Sequence, residues 1–298
     1  MKPTLEMRTP SAQNAIDIFE GRWLTRIEEI YPGVRSGPGN YLKEDTRPQL
    51  AARHLGIARG SFHGMKVLEL GPMEGMHTYQ IDKLGADKIV SVEANSEAYL
   101  RCLVMKEILQ YKAHFLLGDA VKYVDSTDER WDLIFCSGIL YHMQDPYQLI
   151  KSITAHTDRI FLWTHYYDPL LPKGPNFRKI TVIRDGMPLE YYEHAYNIDI
   201  SSEAFWGGNK PTACWMTKEA IIELFKNFGF QLTIHNDVRT WDIGHHITAT
   251  AIRVPDGFEE QVYLQTNEDV RAAVANGQFA SGLHHWVQYG KDAGRSLR

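Results

Sequence analysis

From residue 65 onward, segments with the pattern of β-strands alternate with helix-like segments. Apolar runs typical of buried strands stand at residues 65–70, 88–95, 113–120, 131–138 and 159–167. Segments with helical spacing of apolar residues separate several of them, at 78–85, 96–111 and 146–157. Because strands that alternate with helices form a parallel sheet covered on both faces, the sequence predicts an α/β fold.

A long stretch between residues 168 and 216 interrupts this alternation. Its Asp185-Gly186 pair stands between two runs rich in β-forming residues, which predicts a β-hairpin. The connection is far longer than the usual few residues between a strand and the next helix. Long insertions at the edge of such a sheet are often binding loops, so we expect a lid here.

The segments on either side of the alternating region differ from it in character. Residues 1–62 are helix-like with a Gly/Pro loop, and residues 257–298 read as short helices separated by glycines. Two strands near 230–254 are close enough in sequence to pair antiparallel. We therefore expect an N-terminal helical cap (1–62), a main domain (63–256) and a small C-terminal helical module (257–298).

Composition narrows the class of protein. Hydrophobic residues make up 44% of the 298, enough for a sizeable core, and the net charge of −5 gives no general attraction to a polyanion. The three cysteines, Cys102, Cys136 and Cys214, form no CxxC pair, so neither a disulfide framework nor a zinc knuckle is predicted. The chain shows neither a signal-peptide core nor an apolar run of ~20 residues, and we expect it in the cytoplasm.

The first strand ends in a turn that contains Gly71 and Gly75. A dinucleotide-binding turn needs glycines at relative positions one, three and six, and here Met73 and Met76 occupy the second and third of these. The Gly-Lys-Ser/Thr of a phosphate loop is also absent. The turn is therefore predicted to bind something other than a phosphate.

An acidic residue stands near the end of each of the first three strands: Glu69, Glu93 and Asp119. Glu93 lies 22 residues after Gly71, in the region where nucleoside-binding α/β folds place an acid on the ribose diol. A carboxylate accepts hydrogen bonds from both ribose hydroxyls, so the pattern favours an adenosine-containing ligand. A single loop acid is usually only solvated, and the argument depends on the three together.

The Glu-x-Gly-x-x-x-Gly turn and the two further acids resemble the cofactor site of class I S-adenosylmethionine (SAM) methyltransferases. The resemblance covers residues 65–165, and the strands near 230–254 by position. It implies a Rossmann-like, seven-stranded, mostly parallel sheet with SAM as cofactor. In that family the turn wraps the amino-acid part of SAM, and the acid at Asp119 and the backbone of Ala120 meet the adenine.

Residues 137–146, with the sequence SGILYHMQDP, narrow the resemblance. They are similar to the G-x-LYH-x-x-x-P segment of a subgroup that includes tRNA wobble-uridine carboxymethyl-transferring enzymes and small-molecule and glycan-pathway methyltransferases. The N-methyltransferases of nucleic-acid bases usually carry a Pro-Pro-aromatic segment instead. With the acidic charge balance, this favours a small-molecule or sugar-like acceptor over nucleic acid. Ser137 joins the predicted cofactor contacts.

Four residues after the fourth and fifth strands are candidates for catalysis: Tyr141, His142, His165 and Tyr166. Methyl transfer needs a base only when the acceptor must lose a proton, and His142 is favoured as base or acceptor-positioning group. Its alternative role is a local hydrogen bond that holds the loop. On a strand end, successive residues face opposite sides, so either His165 with Tyr167 or Tyr166 faces the site.

Other polar and aromatic residues allow two interpretations each. His77 follows the glycine turn and is a candidate for the methionine carboxylate of SAM or a plain helix-start residue, and Arg47 is a candidate for a carboxylate or a solvated charge. The pairs His245-His246 and His284-His285 do not chelate alone because adjacent side chains diverge, so no structural metal is predicted. Aromatic residues that belong to the lid or to a small satellite core are Tyr191, Tyr192, Tyr196, Phe205, Trp206 and Trp215.

Three functions remain open from the sequence besides methyl transfer to a small acceptor. The same fold can use SAM for cyclisation or lysis, which releases methylthioadenosine instead of S-adenosylhomocysteine. A non-catalytic interaction protein that recruits a partner or forms an oligomer through its C-terminal helices is a second alternative. A dehydrogenase is a distant third because the pyrophosphate turn is missing.

Overall fold

The computed structural model describes residues 5–37, 45–57, 60–171, 176–196, 207–240 and 244–297. Their strands form a seven-stranded sheet and a three-stranded sheet. The strands are β1 (Lys66–Leu70), β2 (Lys88–Glu93), β3 (His114–Leu117), β4 (Leu133–Ser137), β5 (Arg159–His165), β6 (Arg178–Arg184), β7 (Met187–Ala195), β8 (Thr212–Trp215), β9 (Phe230–Val238) and β10 (His246–Arg253).

The α-helices are α1 (Ala12–Asp17), α2 (Arg47–Leu55), α3 (Met76–Lys83), α4 (Ser96–Leu109), α5 (Ala120–Ser126), α6 (Pro146–His156), α7 (Lys218–Asn227), α8 (Glu260–Thr266), α9 (Glu268–Ala275) and α10 (Gly282–His285). Local side chains begin several of them as the sequence predicts. Asn95 caps α4, Thr217 caps α7, and Pro146 occupies the first turn of α6. The sequence did not predict α5, which is only seven residues long and is capped by Asp119.

The large sheet has the strand order β3-β2-β1-β4-β5-β10-β9. The first five of these strands are parallel to one another, and β10 runs antiparallel to both β5 and β9. The predicted Rossmann-like, seven-stranded, mostly parallel sheet is thereby confirmed. Since β1 lies between β2 and β4, the chain reverses its direction across the sheet beside β1, and the carboxyl ends of these strands meet there.

Two apolar cores cover the two faces of the sheet. One packs α5, α6 and α7 against residues such as Leu68 and Ile134. The other packs α2, α3 and the C-terminal segment, residues 260–297, against residues such as Val67 and Phe161. Apolar residues of α10 and α8 belong to this second core, so the C-terminal segment is docked on the sheet domain.

The insertion after β5 contains a hairpin of β6 and β7 extended by β8. Asp185 and Gly186 both have positive φ, as a two-residue hairpin turn of this kind requires. The hairpin tip does not lie over the glycine turn, because Asp185 accepts hydrogen bonds from Tyr147 and Lys151 of α6, each at 2.6 Å. The lid function of the insertion at 168–216 stays a prediction.

None of the helices in the part of the chain that the structure describes combines the length and the apolar character needed to cross a membrane. The cytoplasmic location stays a prediction.

Candidate functional site

The turn after β1 is held in an unusual backbone conformation. Gly71, Met73 and Gly75 have φ values of 69°, 59° and 77°. Met73 stands where the related turns often have glycine, and it adopts the left-handed conformation that glycine would take freely. Gly71 and Met73 line a cavity, whereas Gly75 faces the core, where an added Cβ would lie 2.5 Å from the Tyr111 hydroxyl.

Glu93 lies at the wall of the same cavity and is 8% exposed. Its carboxylate accepts hydrogen bonds from the backbone nitrogens of Met73 at 3.0 Å and Asn95 at 2.8 Å. Burial raises the pKa of this carboxyl above its usual value, although the backbone hydrogen bonds oppose the shift. The acid therefore braces the glycine turn as well as facing the cavity.

Asp119 and Ala120 also line the cavity. Asp119 is the N-cap of α5, and its Oδ1 accepts from the backbone nitrogen of Lys122, the third residue of that helix. Its other oxygen, Oδ2, accepts from Asn209 Nδ2 in the insertion at 2.6 Å. Asp119 thus links the end of the third strand to the insertion.

A charged cluster forms another part of the wall. Arg47 Nη1 donates to Ser137 Oγ at 2.9 Å, and its guanidinium also pairs with Asp45. His77 Nε2 lies 2.9 Å from Asp45 Oδ2. Burial alone would raise the pKa of Asp45, but the hydrogen bonds from Arg47 and His77 hold it well below its usual range. Arg47 also lies over the Trp163 ring, 4.8 Å from its centroid.

Tyr141 and His142 belong to a short 3₁₀ helix, Leu140–His142, that follows β4. Both line the cavity, and His142 Nδ1 lies 2.7 Å from the Tyr196 hydroxyl. Burial, with smaller effects of His165 and His194, lowers the pKa of His142 to about 3, so the ring is neutral at pH 7. The insertion packs tightly here, because a Cβ added at Gly208 would collide with the His142 carbonyl oxygen.

His165 and Tyr166 point to opposite sides, as expected at the end of a strand. The His165 ring lies 4.5 Å from the Tyr141 ring and stacks on Trp215, behind the cavity wall. The Tyr166 hydroxyl instead donates to Asp237 at 2.7 Å, and its side chain is buried away from the cavity. Of the four predicted catalytic residues, the structure therefore brings Tyr141 and His142 to the cavity, His165 next to them, and Tyr166 elsewhere.

Glu69 lies beneath the turn and outside the cavity wall. It is 1% exposed, and its Oε2 accepts hydrogen bonds from Thr78 and Ser91. Its Oε1 has no hydrogen-bond partner among the described residues. Burial raises the pKa of Glu69, and its hydrogen bonds from Thr78 and Ser91 join the end of β1 to α3 and β2.

One cavity of 710 Å³ joins the residues around the glycine turn to those around Tyr141 and His142. Its wall runs from the glycine turn and Glu93 through Asp119 to Tyr141 and His142. The sequence analysis missed three contributors to the site: Asp45, Gly208 and Asn209. No local pattern marks the two insertion residues, because the site residues that they meet are distant in sequence: Gly208 packs against the carbonyl of His142, and Asn209 donates to Asp119.

The chain is similar in sequence to a group of known proteins. No family model matches the chain. The tRNA U34 carboxymethyltransferase of Campylobacter hominis is 28% identical over 109 residues, which cover 35% of this chain and 38% of that protein. Its namesake in Psychrobacter arcticus is 24% identical over 118 residues, 37% of this chain and 32% of that protein. The chain thus spans less than two fifths of the length of these curated relatives.

Among solved structures, the N-terminal domain of EvdMO1 with S-adenosylhomocysteine bound superposes with a TM-score of 0.62 at 19% identity. The match covers 82% of this chain and 95% of that domain. The chain has the class I SAM methyltransferase fold. Full-length EvdMO1 superposes with a TM-score of 0.51, and the match covers 46% of that longer chain.

These findings agree with the predicted SAM methyltransferase family. The neighbouring domain holds S-adenosylhomocysteine, which is the form that SAM takes after methyl transfer. The names of the curated relatives include tRNA, so the prediction against a nucleic-acid partner receives no support from them.

Proposed function

We propose that the chain is a SAM-dependent methyltransferase that acts on a small-molecule or sugar-like acceptor. The observation that carries this proposal is the continuous cavity, in which the glycine turn and Glu93 share one wall with Tyr141 and His142. A cofactor at the first pair and an acceptor at the second would lie next to each other, as an in-line displacement requires.

The residues at the carboxyl edge fit SAM. Glu93 is positioned for the ribose hydroxyls and Asp119 for the adenine amino group. Gly71 keeps the wall open, since it carries no side chain toward the cavity. The positive charge of Arg47 and the ring of His77 suit the methionine carboxylate. When bound, SAM supplies a methyl group that its sulfonium has already activated.

The acceptor side is aromatic and dry. Tyr141 and Trp163 form its walls, and His142 offers a neutral imidazole whose Nδ1 is engaged by Tyr196. In the tautomer whose Nδ1 donates its hydrogen to Tyr196, Nε2 is free to accept, and a hydroxyl acceptor would pass its proton there as the new oxygen–carbon bond forms. Support for a sugar-like acceptor comes from the EvdMO1 domain, whose structure was also determined in the presence of D-fucose, with a TM-score of 0.58.

The deciding experiment incubates the purified chain with SAM and a panel of sugar and phenol acceptors, followed by mass spectrometry. We expect S-adenosylhomocysteine and an acceptor heavier by one methyl group. His142→Ala should lower turnover by about 100-fold if His142 takes the proton. Methylthioadenosine as the product would instead identify a cyclase or lyase, and no product with intact SAM binding would favour an interaction protein.

Transfer to tRNA is the second candidate, and the curated relatives support it. They match only 35% and 37% of this chain, so their acceptor is carried over only as a candidate. The same incubation with total tRNA, followed by nucleoside analysis, separates the two. A modified uridine in the tRNA arm, without a product in the small-molecule arms, would replace the first proposal.

A further inference from the structure

Three histidines from three separate elements meet where the C-terminal segment contacts the sheet domain. His54 lies in α2, His235 in β9 and His284 in α10. One ring nitrogen of each lies within 4.8 Å of the corresponding nitrogens of the other two. The rings of His54 and His235 stack with centroids 4.1 Å apart, and His284 stands nearly perpendicular to both.

This arrangement is close to what a tetrahedral metal ion requires. Imidazole nitrogens bind Zn²⁺ at about 2.0–2.1 Å, which places ligand nitrogens roughly 3.4 Å apart. The nitrogens, which lie up to 4.8 Å apart, have to close by as much as about 1.4 Å, and the stacked rings of His54 and His235 have to turn so that their in-plane lone pairs converge on the ion. We propose that His54, His235 and His284 bind one divalent transition-metal ion, with Zn²⁺ as the preferred ion, which fastens the C-terminal segment to α2 and β9.

The surroundings of the rings support the assignment. Ser281 Oγ lies 2.9 Å from His284 Nδ1, so that its Nε2 is the nitrogen turned toward the cluster. Hydrogen bonds of this kind orient histidine ligands in metal sites. His284 is buried, whereas His54 and His235 are half-buried and leave a path for an ion to enter.

A cluster held by hydrogen bonds alone is the competing explanation. Thr250 Oγ1 lies 2.7 Å from His235 Nε2 and 3.1 Å from His284 Nε2. This hydroxyl brings both nitrogens to one point, and a metal ion would have to take its place as their shared neighbour. The two explanations differ in one measurable respect, because only the metal site responds to a chelator.

The test uses the full chain, stripped with EDTA and dialysed. Titration calorimetry with ZnCl₂ should give one ion per chain, and ZnCl₂ should raise the melting temperature. Co²⁺ in its place should give the visible absorption bands of a tetrahedral site. His284→Ala should weaken Zn²⁺ binding by more than about 100-fold, and Ser281→Ala, which removes the orienting hydrogen bond together with the N-cap of α10, by about 10-fold.

His285→Ala is the matched control. His285 is the next residue on α10, but its Nδ1 pairs with the Tyr263 hydroxyl at 2.9 Å and takes no part in the cluster. It should bind Zn²⁺ like the unaltered chain. If His284→Ala fails to fold, His54→Ala provides the same test from a half-buried position. Failure of the unaltered chain to bind Zn²⁺ or Co²⁺ stoichiometrically, or equal binding by the His284 and His285 variants, would overturn the proposal.

Discussion

Asn209 of the insertion donates a hydrogen bond to Asp119 at the end of the third strand, over 2.6 Å. The contact joins the segment at 207–210 to the acid that is proposed to hold the adenine. Both residues line the cavity, so this segment of the insertion contributes to the cavity wall.

Loss of this contact should shorten the residence time of the cofactor. Asn209→Ala removes one hydrogen bond to a charged acceptor at a partly exposed site, and we expect dissociation to become about 3- to 10-fold faster, equivalent to about 0.5–1.5 kcal/mol. Asn209→Asp should be worse, because two carboxylates would face each other. Stopped-flow displacement of S-adenosylhomocysteine measures this rate. Thr212→Val, which alters β8 but not the Asp119 contact, should leave the rate unchanged.

Glu93→Ala should weaken SAM binding more than tenfold, because hydrogen bonds to a charged acceptor contribute about 1.5–3 kcal/mol each. The structure adds a second expectation. The variant also leaves the backbone nitrogens of Met73 and Asn95 without their acceptor, so the free energy of unfolding should fall by about 1–3 kcal/mol. Titration calorimetry and urea denaturation separate the two effects. Unchanged SAM affinity in a folded Glu93→Ala protein would remove Glu93 from the cofactor site.

Gly75→Ala should destabilise the fold by about 2 kcal/mol or more. The residue is left-handed, at a φ of 77°, and its added Cβ would lie 2.5 Å from the Tyr111 hydroxyl. Met73→Gly is the matched control, since its backbone already has the conformation that glycine favours, and its stability should change by less than about 1 kcal/mol. Denaturation midpoints compare the two. Equal stability of Gly75→Ala and the unaltered chain would contradict this account of the turn.

Gly208→Ala should lower turnover by about 10- to 100-fold, because the added methyl group would displace the His142 carbonyl and the side chain with it. Gly118→Ala serves as control. That glycine also lies near the cavity, but an added Cβ meets nothing within 4 Å there and its activity should be retained. Initial rates under SAM saturation measure both. The prediction would be wrong if Gly118→Ala lost activity and Gly208→Ala kept it.

Acid should destabilise the acceptor side of the site. Burial lowers the pKa of His142 to about 3 and of His165 to about 4, both below the ordinary value of 6.5. Between the folded pKa values and 6.5, these histidines bind protons in the unfolded chain but not in the folded one. Their contribution to the free energy of unfolding is therefore fully present above pH 6.5 and is lost as the pH drops toward 4. Each histidine should contribute about 1 kcal/mol per pH unit in this window.

Melting curves between pH 7 and pH 5 test that sign. His142→Gln removes one of the two groups and should flatten the decrease, whereas His63→Gln, at an exposed position, should not. A melting temperature that rises on acidification would show that the buried histidines are not neutral in the folded protein.

Local sequence patterns were sufficient to predict most strands of the sheet and the succession of strands and helices along the chain. Asn95, Thr217 and the Asp185-Gly186 turn are local signals whose hydrogen bonds or dihedral angles depend on neighbours in sequence. The third strand was predicted to end three residues too late, because Asp119 caps a short helix instead of ending the strand.

Contacts between distant segments could not be predicted in the same way. His284 was considered only with its neighbour His285, yet its cluster includes His54 and His235 from two other elements. Gly75 was expected to contact the cofactor, but the position that a Cβ would occupy faces the Tyr111 hydroxyl in the core. Both outcomes depend on the direction in which a residue faces, and that direction is determined only by the completed fold.

Helix α2 connects two places that have been described separately. Arg47 at its first residue contacts Ser137 beside the cofactor cavity, and His54, two turns later, belongs to the histidine cluster at the C-terminal segment. A helix of this length spans only about 10 Å between these residues and behaves as a stiff rod. A small shift or rotation of the C-terminal segment would therefore move α2, and with it Arg47 beside the cofactor cavity.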